Sequence, residues 1–395
     1  MYQPSLFMTP ERVLFGRGVA NRAGQYAKDL GAGKVFIVTD KIIAGLNEFA
    51  SIVESFKDQG LGLYIYAEVD ANPSDVQVEN GAALYKQENA DVLVAVGGGS
   101  PLDSAKAIGI LAANGGSIRE YDNLADDDAH EPDSIKEPIP PLITIPTTSG
   151  TGAEVTSFAV ITNTKEKYKM IPGSWRSTPR IALVDPLMTI SMPQHVTAAT
   201  GMDALSHAVE AYCSPFAMNQ TDVLALSTIK LVAENLGPAV ADGTNLEARE
   251  GMAMAGMQGG LCINANLGGV HALGHQLSSQ YDIPHGTAMS IMMPVIMEFN
   301  IDVCMDRMVD IARALGEETA GLSKMEAAHI APRAVRRLAA SQGLSVSLSD
   351  CGADPQKIPV AAKRALNDFD ILGNPRSISL TQAESLYKKA FEAKL

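Results

Sequence analysis

The sequence predicts two domains of different class, an α/β N-terminal half and an all-helical C-terminal half, and three observations carry the prediction. First, 395 residues exceed what a single compact core usually organises. Second, short apolar runs at Val35–Thr39, Leu63–Tyr66, Val92–Val96, Leu142–Ile145 and Ile181–Val184 alternate with helical stretches and are bounded by Gly, Pro or Asp. Continuous apolar runs of this kind suit strands covered on both faces of a parallel sheet. Third, from about Pro193 onward the pattern changes to long Ala-, Leu- and Met-rich segments with helical spacing, at 196–213, 222–234 and 247–263. The boundary is expected between Asp185-Pro186, where the last strand ends, and Pro193, which suits a first helical turn. The domains are then 1–190 and 191–395.

Composition narrows the function classes. Hydrophobic residues make up 46% and charged residues 19%, ordinary values for a soluble enzyme. A formal charge of -14 argues against nucleic acid or an anionic membrane as partner, because phosphate surfaces demand a basic face. The four cysteines, Cys213, Cys262, Cys304 and Cys351, show no CxxC spacing and read as reduced thiols. The N-terminus has no basic stretch followed by an apolar one, and no continuous apolar run reaches about 18 residues, so a cytoplasmic protein is expected. The acidic stretch Asp126–Asp133, continuing to Pro141, reads as a solvated connection.

Within the α/β half, Gly97-Gly98-Gly99-Ser100-Pro101-Leu102-Asp103 follows a strand directly and opens a helix. Three glycines allow close backbone approach to an anion, and the fresh helix end offers free N–H groups to a phosphate. Ser100 is expected to cap that helix with Pro101 at its first position, which places Asp103 at the third. A second loop, Pro146-Thr-Thr-Ser-Gly-Thr-Gly-Ala-Glu154, also follows a strand. Two such loops at the carboxyl ends of parallel strands favour a dinucleotide over a lone phosphate. Asp40 ends the first clear strand, where a carboxylate can accept from an adenosine ribose and favour NAD over NADP, or simply cap the segment that follows.

The helical half carries Asp203-x3-His207, His271-x3-His275 and Pro284-His285-Gly286. Residues four apart project from one helix face, so two helices and a loop can gather a carboxylate and several imidazoles around one divalent cation. His195 lies just upstream of this group, and Glu210, seven residues after Asp203, shares its face and is suited to orient a ligand.

Five spaced motifs in this order resemble the iron-containing (group III) alcohol dehydrogenase family, nearly end to end from Phe15-Gly-Arg-Gly18 to Asn374-Pro-Arg376. The resemblance implies a Rossmann-like N-terminal domain and an all-α C-terminal domain, the architecture shared with dehydroquinate synthase. It also implies a cleft holding nicotinamide and metal. By resemblance the metal ligands are Asp203, His207, His271 and His285, with Fe2+ as first choice and Zn2+ as the other candidate. Cofactor contacts are implied at Asn72, Gly97, Gly98, Gly99, Ser100, Asp103, Thr147, Thr148, Ser149, Thr151, Lys169 and Leu187, alongside Asp40. His275 and Asp103 are the expected catalytic residues. Phe158, Cys262, Leu267 and Asp370 are expected around the substrate. Asp370 departs from the family, which often has Cys or another small or neutral residue four positions before Asn-Pro-Arg. The unusual Ser174–Ser177 segment is a second departure. The carboxylate of Asp370 is expected to disfavour anionic substrates.

The expected reaction is hydride transfer between a nicotinamide cofactor and a small alcohol, diol or hydroxyaldehyde, by a homodimer or larger homo-oligomer. The alternatives are a reductase of small carboxylated or sulfonated aldehydes, a glycerol-type dehydrogenase, a sugar-phosphate cyclase, a non-haem iron oxygenase, or a metal-binding module without catalysis.

Overall fold

The computed structural model describes residues 6–122 and 134–394, and the acidic stretch 126–133 lies outside them. The described residues form two compact units, one of 8–122, 134–148 and 152–191, the other of 6–7, 149–151 and 192–394.

The first unit is a six-stranded parallel sheet flanked by helices. Its strands are β1 (Arg12–Phe15), β2 (Lys34–Val38), β3 (Gly62–Tyr66), β4 (Val92–Gly97), β5 (Leu142–Pro146) and β8 (Ile181–Val184), ordered β1-β8-β5-β4-β2-β3. Helices α1 (Ala23–Asp29), α2 (Asn47–Asp58), α3 (Asp75–Glu88) and α4 (Gly99–Asn114) cover it. Side-chain alternation explains both faces. Phe36, Val38, Leu93 and Leu142 pack with Val78, Leu102 and Ile108 from α3 and α4. Val35, Ile37, Val94 and Ile143 point the other way, onto Ala23, Phe49, Ile52 and Phe56 of α1 and α2.

All five anticipated strands form, and three more appear. β1 is a four-residue edge strand paired only with β8. β6 (Ile161–Asn163) and β7 (Tyr168–Met170) make a separate antiparallel hairpin, turned through Lys167 in the left-handed region at φ 56°. After β2 the chain steps outward to β3 and then returns to the other side of β2 as β4. The strand order therefore reverses between β2 and β4, the position where open α/β sheets receive ligands at their carboxyl ends.

The second unit is helical, apart from short connections. It contains α5 (Gln194–Cys213), α6 (Asn219–Ala241), α7 (Leu246–Cys262), α8 (Gly269–Tyr281) and α9 (His285–Ala314). The smaller helices α10 (Lys324–Ala328), α11 (Ile330–Ser341), α12 (Ile358–Ala365) and α13 (Leu380–Glu392) complete it. One apolar core runs from Met202 and Leu205 on α5 through Met289, Met292 and Ile296 on α9 to Leu386 on α13. Helices α6 and α9 are long and apolar enough to cross a membrane by length and composition, with 33% and 72% of those windows buried within the protein.

Candidate functional site

Helix α5 sets out Asp203, His207 and Glu210 on one buried face, as the four-plus-three spacing requires. Helix α8 adds His271 and His275, and α9 begins at His285 directly after Pro284. Gly286 permits that approach, since a Cβ there would lie 2.1 Å from the carbonyl oxygen of Ala199 on α5.

The result is a convergence on one carboxylate oxygen. Asp203 Oδ1 lies 3.7 Å from His207 Nε2, 3.6 Å from His271 Nε2 and 3.3 Å from His285 Nε2. Asp203 Oδ1 and His271 Nε2 are both buried without a hydrogen-bond partner. Such orphaned atoms are costly unless something else satisfies them. Ligands bound at about 2.0–2.1 Å in tetrahedral geometry stand roughly 3.3 Å apart, close to the three separations from Asp203. Asp203, His207 and His271 also lie within 4.8 Å of one another, while His285 joins them through Asp203. The donor set, one hard carboxylate and three imidazoles, suits a divalent transition metal.

The electrostatics point the same way. Burial opposes ionisation of Asp203, but the His207 and His285 imidazoles outweigh it and hold the carboxyl well below its usual range. Burial pushes His207 down to about 3 and lowers His285, which leaves both rings neutral with lone pairs available. His271 is the exception. Burial would lower it, yet the Glu210 carboxylate against Nδ1 pushes it up to about 10. Without a metal that ring is therefore protonated at neutral pH, with Nδ1–H donated to Glu210, and a cation held between Nε2 and Asp203 would have to displace the Nε2 proton.

Glu210 does a second job. Gly268, which precedes α8, offers no side-chain cap. Glu210 Oε1 instead accepts from the backbone N–H of Val270 at 2.7 Å and of His271 at 3.3 Å. A carboxylate from α5 thus satisfies the first turn of α8 and fixes the tautomer of its ligand. Glu210→Gln would keep the size but leave one acceptor oxygen, so its NH2 must oppose either His271 Nδ1–H or the backbone N–H groups of Val270 and His271. Metal affinity is expected to fall about 10–100-fold with the fold intact, measured by competition against a chelator of known affinity.

His275 is not in contact with Asp203. Its ring stacks on His285 at 5.4 Å, and its Nδ1 faces Asp368 Oδ2 at 3.0 Å and Asp370 Oδ2 at 3.8 Å. Burial works against the imidazolium, but Asp368 and Asp370 outweigh it and raise the pKa. Burial, reinforced by Asp368, pushes the Asp370 carboxyl up to about 7. Asp368 carries no sequence signal, being 93 residues from His275 and visible only as a cap of the 3-10 turn Phe369–Gly373. Asn374 closes the group, accepting from Gly269 N–H at 3.2 Å at the start of α8. Leu267 is buried in the segment before α8, against Gly373. Cys262 is not brought to this cluster. It is fully buried at the end of α7, with its thiol toward the carbonyl of Thr221. His195 is exposed in the first turn of α5.

In the α/β unit the carboxyl ends of β2, β4 and β5 carry Asp40, the glycine turn, Thr147 and Thr148 among the anticipated cofactor residues. Gly97 has φ 152°, and a Cβ on it would strike Pro101 at 2.5 Å, so this turn requires glycine. Gly98, not Ser100, precedes the first residue of α4 as its cap, Pro101 stands third, and Asp103 fifth. The extra glycine advances the helix start, and Ser100 Oγ instead donates to the Ala71 carbonyl at 2.7 Å. Thr147 N–H donates to Gly97 O at 2.8 Å and joins the two loops. The Thr148 and Thr39 hydroxyls are buried without a hydrogen-bond partner.

Asp40 Oδ1 accepts from the N–H groups of Ile42 and Ile43, both at 2.8 Å. Oδ2 has no hydrogen bond among the described residues. Lys169 Nζ donates to Asn72 Oδ1 at 2.9 Å and Thr162 Oγ1 at 3.0 Å, and burial pushes it down to about 8. Asp103 is engaged at both oxygens, one by Lys106 at 3.1 Å and the other by Val160 N–H at 3.0 Å. It holds α4 to the segment before β6, a positioning task that its spacing did not reveal. Phe158 supplies a carbonyl to Lys106 at 2.7 Å, and Leu187 N–H donates to Asp185 at 3.0 Å. Ser149 and Thr151 belong to the helical unit, and the Ser149 hydroxyl is also buried without a partner.

Comparison with known proteins agrees along the chain. Residues 10–186 match the model of the iron-containing alcohol dehydrogenase family, and residues 197–391 match that of its C-terminal part. The chain is 39% identical over 388 residues to a 1,3-propanediol dehydrogenase of Citrobacter freundii, covering 98% of each. It is 38% identical to an NAD-dependent methanol dehydrogenase of Bacillus methanolicus, covering 97% of this chain and 99% of that one. A crystal structure of a 1,3-propanediol oxidoreductase superposes with a TM-score of 0.94 at 38% identity, covering 98% of this chain and 100% of the other.

Proposed function

The chain belongs to the iron-containing alcohol dehydrogenase family and is an oxidoreductase, and on that premise we propose that it interconverts a small alcohol, diol or hydroxyaldehyde and its carbonyl product with NAD. The observation that carries the proposal is the meeting of Asp203, His207, His271 and His285 around one buried, unsatisfied carboxylate oxygen. We assign these four residues as ligands of a divalent ion, Fe2+ by family and Zn2+ by ligand chemistry. Such an ion supplies Lewis acidity, lowering the pKa of a bound hydroxyl from about 16 to about 7, worth roughly 12 kcal/mol.

The chain's own residues provide the rest. Glu210 fixes the tautomer of His271, and three neutral rings with one carboxylate leave room for an additional negative oxygen. Asp368 fixes Nδ1 of His275, leaving Nε2 to exchange a proton with substrate or solvent. The glycine turn and the N-terminus of α4 suit a pyrophosphate, and Asp40 Oδ2 suits the ribose hydroxyls. A relative named for methanol with NAD, and others named for 1,3-propanediol and lactaldehyde, support a small substrate.

The test is a panel of short alcohols, diols and aldehydes run in both directions on iron- and zinc-reconstituted protein, read by reduced nicotinamide absorbance. Turnover of neutral substrates is expected, with carboxylated and sulfonated aldehydes poor. Efficient turnover of those anions with neutral aldehydes poor would overturn the substrate class.

A further inference from the structure

Asp370 is only 6% exposed, and no described residue donates a hydrogen bond to its carboxylate, whose side chain keeps 9% solvent contact. Its ionic neighbour, His275 Nδ1, stands 3.8 Å away, beyond hydrogen-bonding reach. That nitrogen is already engaged, because Asp368 Oδ2 takes it at 3.0 Å. The same Asp368 uses its other oxygen to accept from the backbone N–H of Asp370 at 3.1 Å. One aspartate therefore accepts twice from the protein, and the carboxylate of the other has no protein donor within hydrogen-bonding reach.

The unsatisfied carboxyl also lies close to the candidate ligands. A single imidazole, His275, separates it from His285, and His285 is the open side of the cluster, its side chain 38% exposed. The adjoining Phe369 and Leu372 are exposed as well, at 42% and 59%. A small molecule reaching His285 from solvent comes within one ring's width of Asp370. A buried acceptor without a donor is costly, and a ligand that brings a donor removes the cost. A site with such a group rejects analogues that lack the donor.

We propose that Asp370 determines specificity by accepting a hydrogen bond from a second polar group of the alcohol, a hydroxyl or an ammonium, carried beyond the reacting carbon. The inference rests on the reading of the chain as an alcohol dehydrogenase and narrows its substrate class. Monoalcohols leave the carboxyl unsatisfied, and anions are repelled by it. Hydroxyl and ammonium share the donor chemistry and differ in charge, so variants separate them.

The experiment uses metal-loaded enzyme and compares kcat/KM for 1,3-propanediol, 3-amino-1-propanol and 1-propanol in the wild type, Asp370→Asn and Asp370→Leu. Ratios to 1-propanol cancel any loss common to all substrates. The diol ratio is expected to fall about tenfold or more in Asp370→Leu and to be partly kept in Asp370→Asn, whose amide oxygen still accepts. If the ammonium is the favoured partner, the amino alcohol ratio is highest in the wild type and falls in both variants, because Asn carries no charge. Ligand-observed NMR titration of the three compounds gives the corresponding ratios of affinity without turnover, and Asp370→Asn keeps the side-chain size should Asp370→Leu not fold. Ratios unchanged in both variants would overturn the assignment. A wild type that turns over none of the alcohols would overturn the functional reading instead, and the titrations would still decide the role of Asp370.

Discussion

Replacing His271 with alanine is expected to abolish both metal retention and alcohol oxidation while the helical unit stays folded. In the proposed centre the ring is one of four donors, and it stands between Glu210 and Asp203. Its loss removes a ligand and leaves Glu210 holding only backbone N–H groups. Forfeiting even a third of the roughly 12 kcal/mol that a divalent ion supplies to hydroxyl ionisation lowers kcat about a thousandfold. Metal content by elemental analysis, turnover and the melting temperature are measured together. Full metal stoichiometry with near-native turnover would remove His271 from the ligand set.

Replacing Asp40 with glycine is expected to relax the preference for NAD. One oxygen caps the turn after β2 through Ile42 and Ile43, and the other is the one proposed to accept from a ribose hydroxyl. A 2′-phosphate brings negative charge against that oxygen, about 4 kcal/mol for unit charges about 4 Å apart at an effective dielectric near 20. Asp40 is half-buried at the end of its strand, so solvent reduces the effect to about ten- to a hundredfold in the NAD to NADP ratio of kcat/KM. The glycine variant should gain NADP use more than it loses NAD use. Removal of the cap makes some common loss expected, and only the ratio bears on charge. Equal kcat/KM for the two cofactors in the unmutated enzyme would refute the argument.

Much of the architecture was legible because burial on two faces writes itself into sequence. β2, β4, β5 and β8 are continuous apolar runs, and they are the strands with both neighbours in the sheet. β1 was not legible, since an edge strand of four residues beginning with Arg12 has one partner and partial exposure. The β6–β7 hairpin escaped for a related reason, with three-residue strands containing Thr, Asn and Lys.

The same division holds at the candidate site. Asp203, His207 and Glu210, and likewise His271 and His275, are neighbours by helical period and can be read along the chain. Asp368 against His275, or Asn374 against the start of α8, joins positions about a hundred residues apart and exists only after folding. Ser100 shows the limit of local rules. Ser followed by Pro reads as a helix start, yet the preceding glycines take the cap and free the hydroxyl for Ala71.

The most direct test of a four-ligand centre is a metal titration of the apoprotein followed by two readouts. Protein stripped by chelator is titrated anaerobically with Fe2+ while bound metal and NADH formation from 1,3-propanediol are recorded. Both should rise together and saturate at one ion per chain, with no turnover at the start. Turnover that persists in the fully stripped protein, or saturates without bound metal, would contradict the assignment of Asp203, His207, His271 and His285.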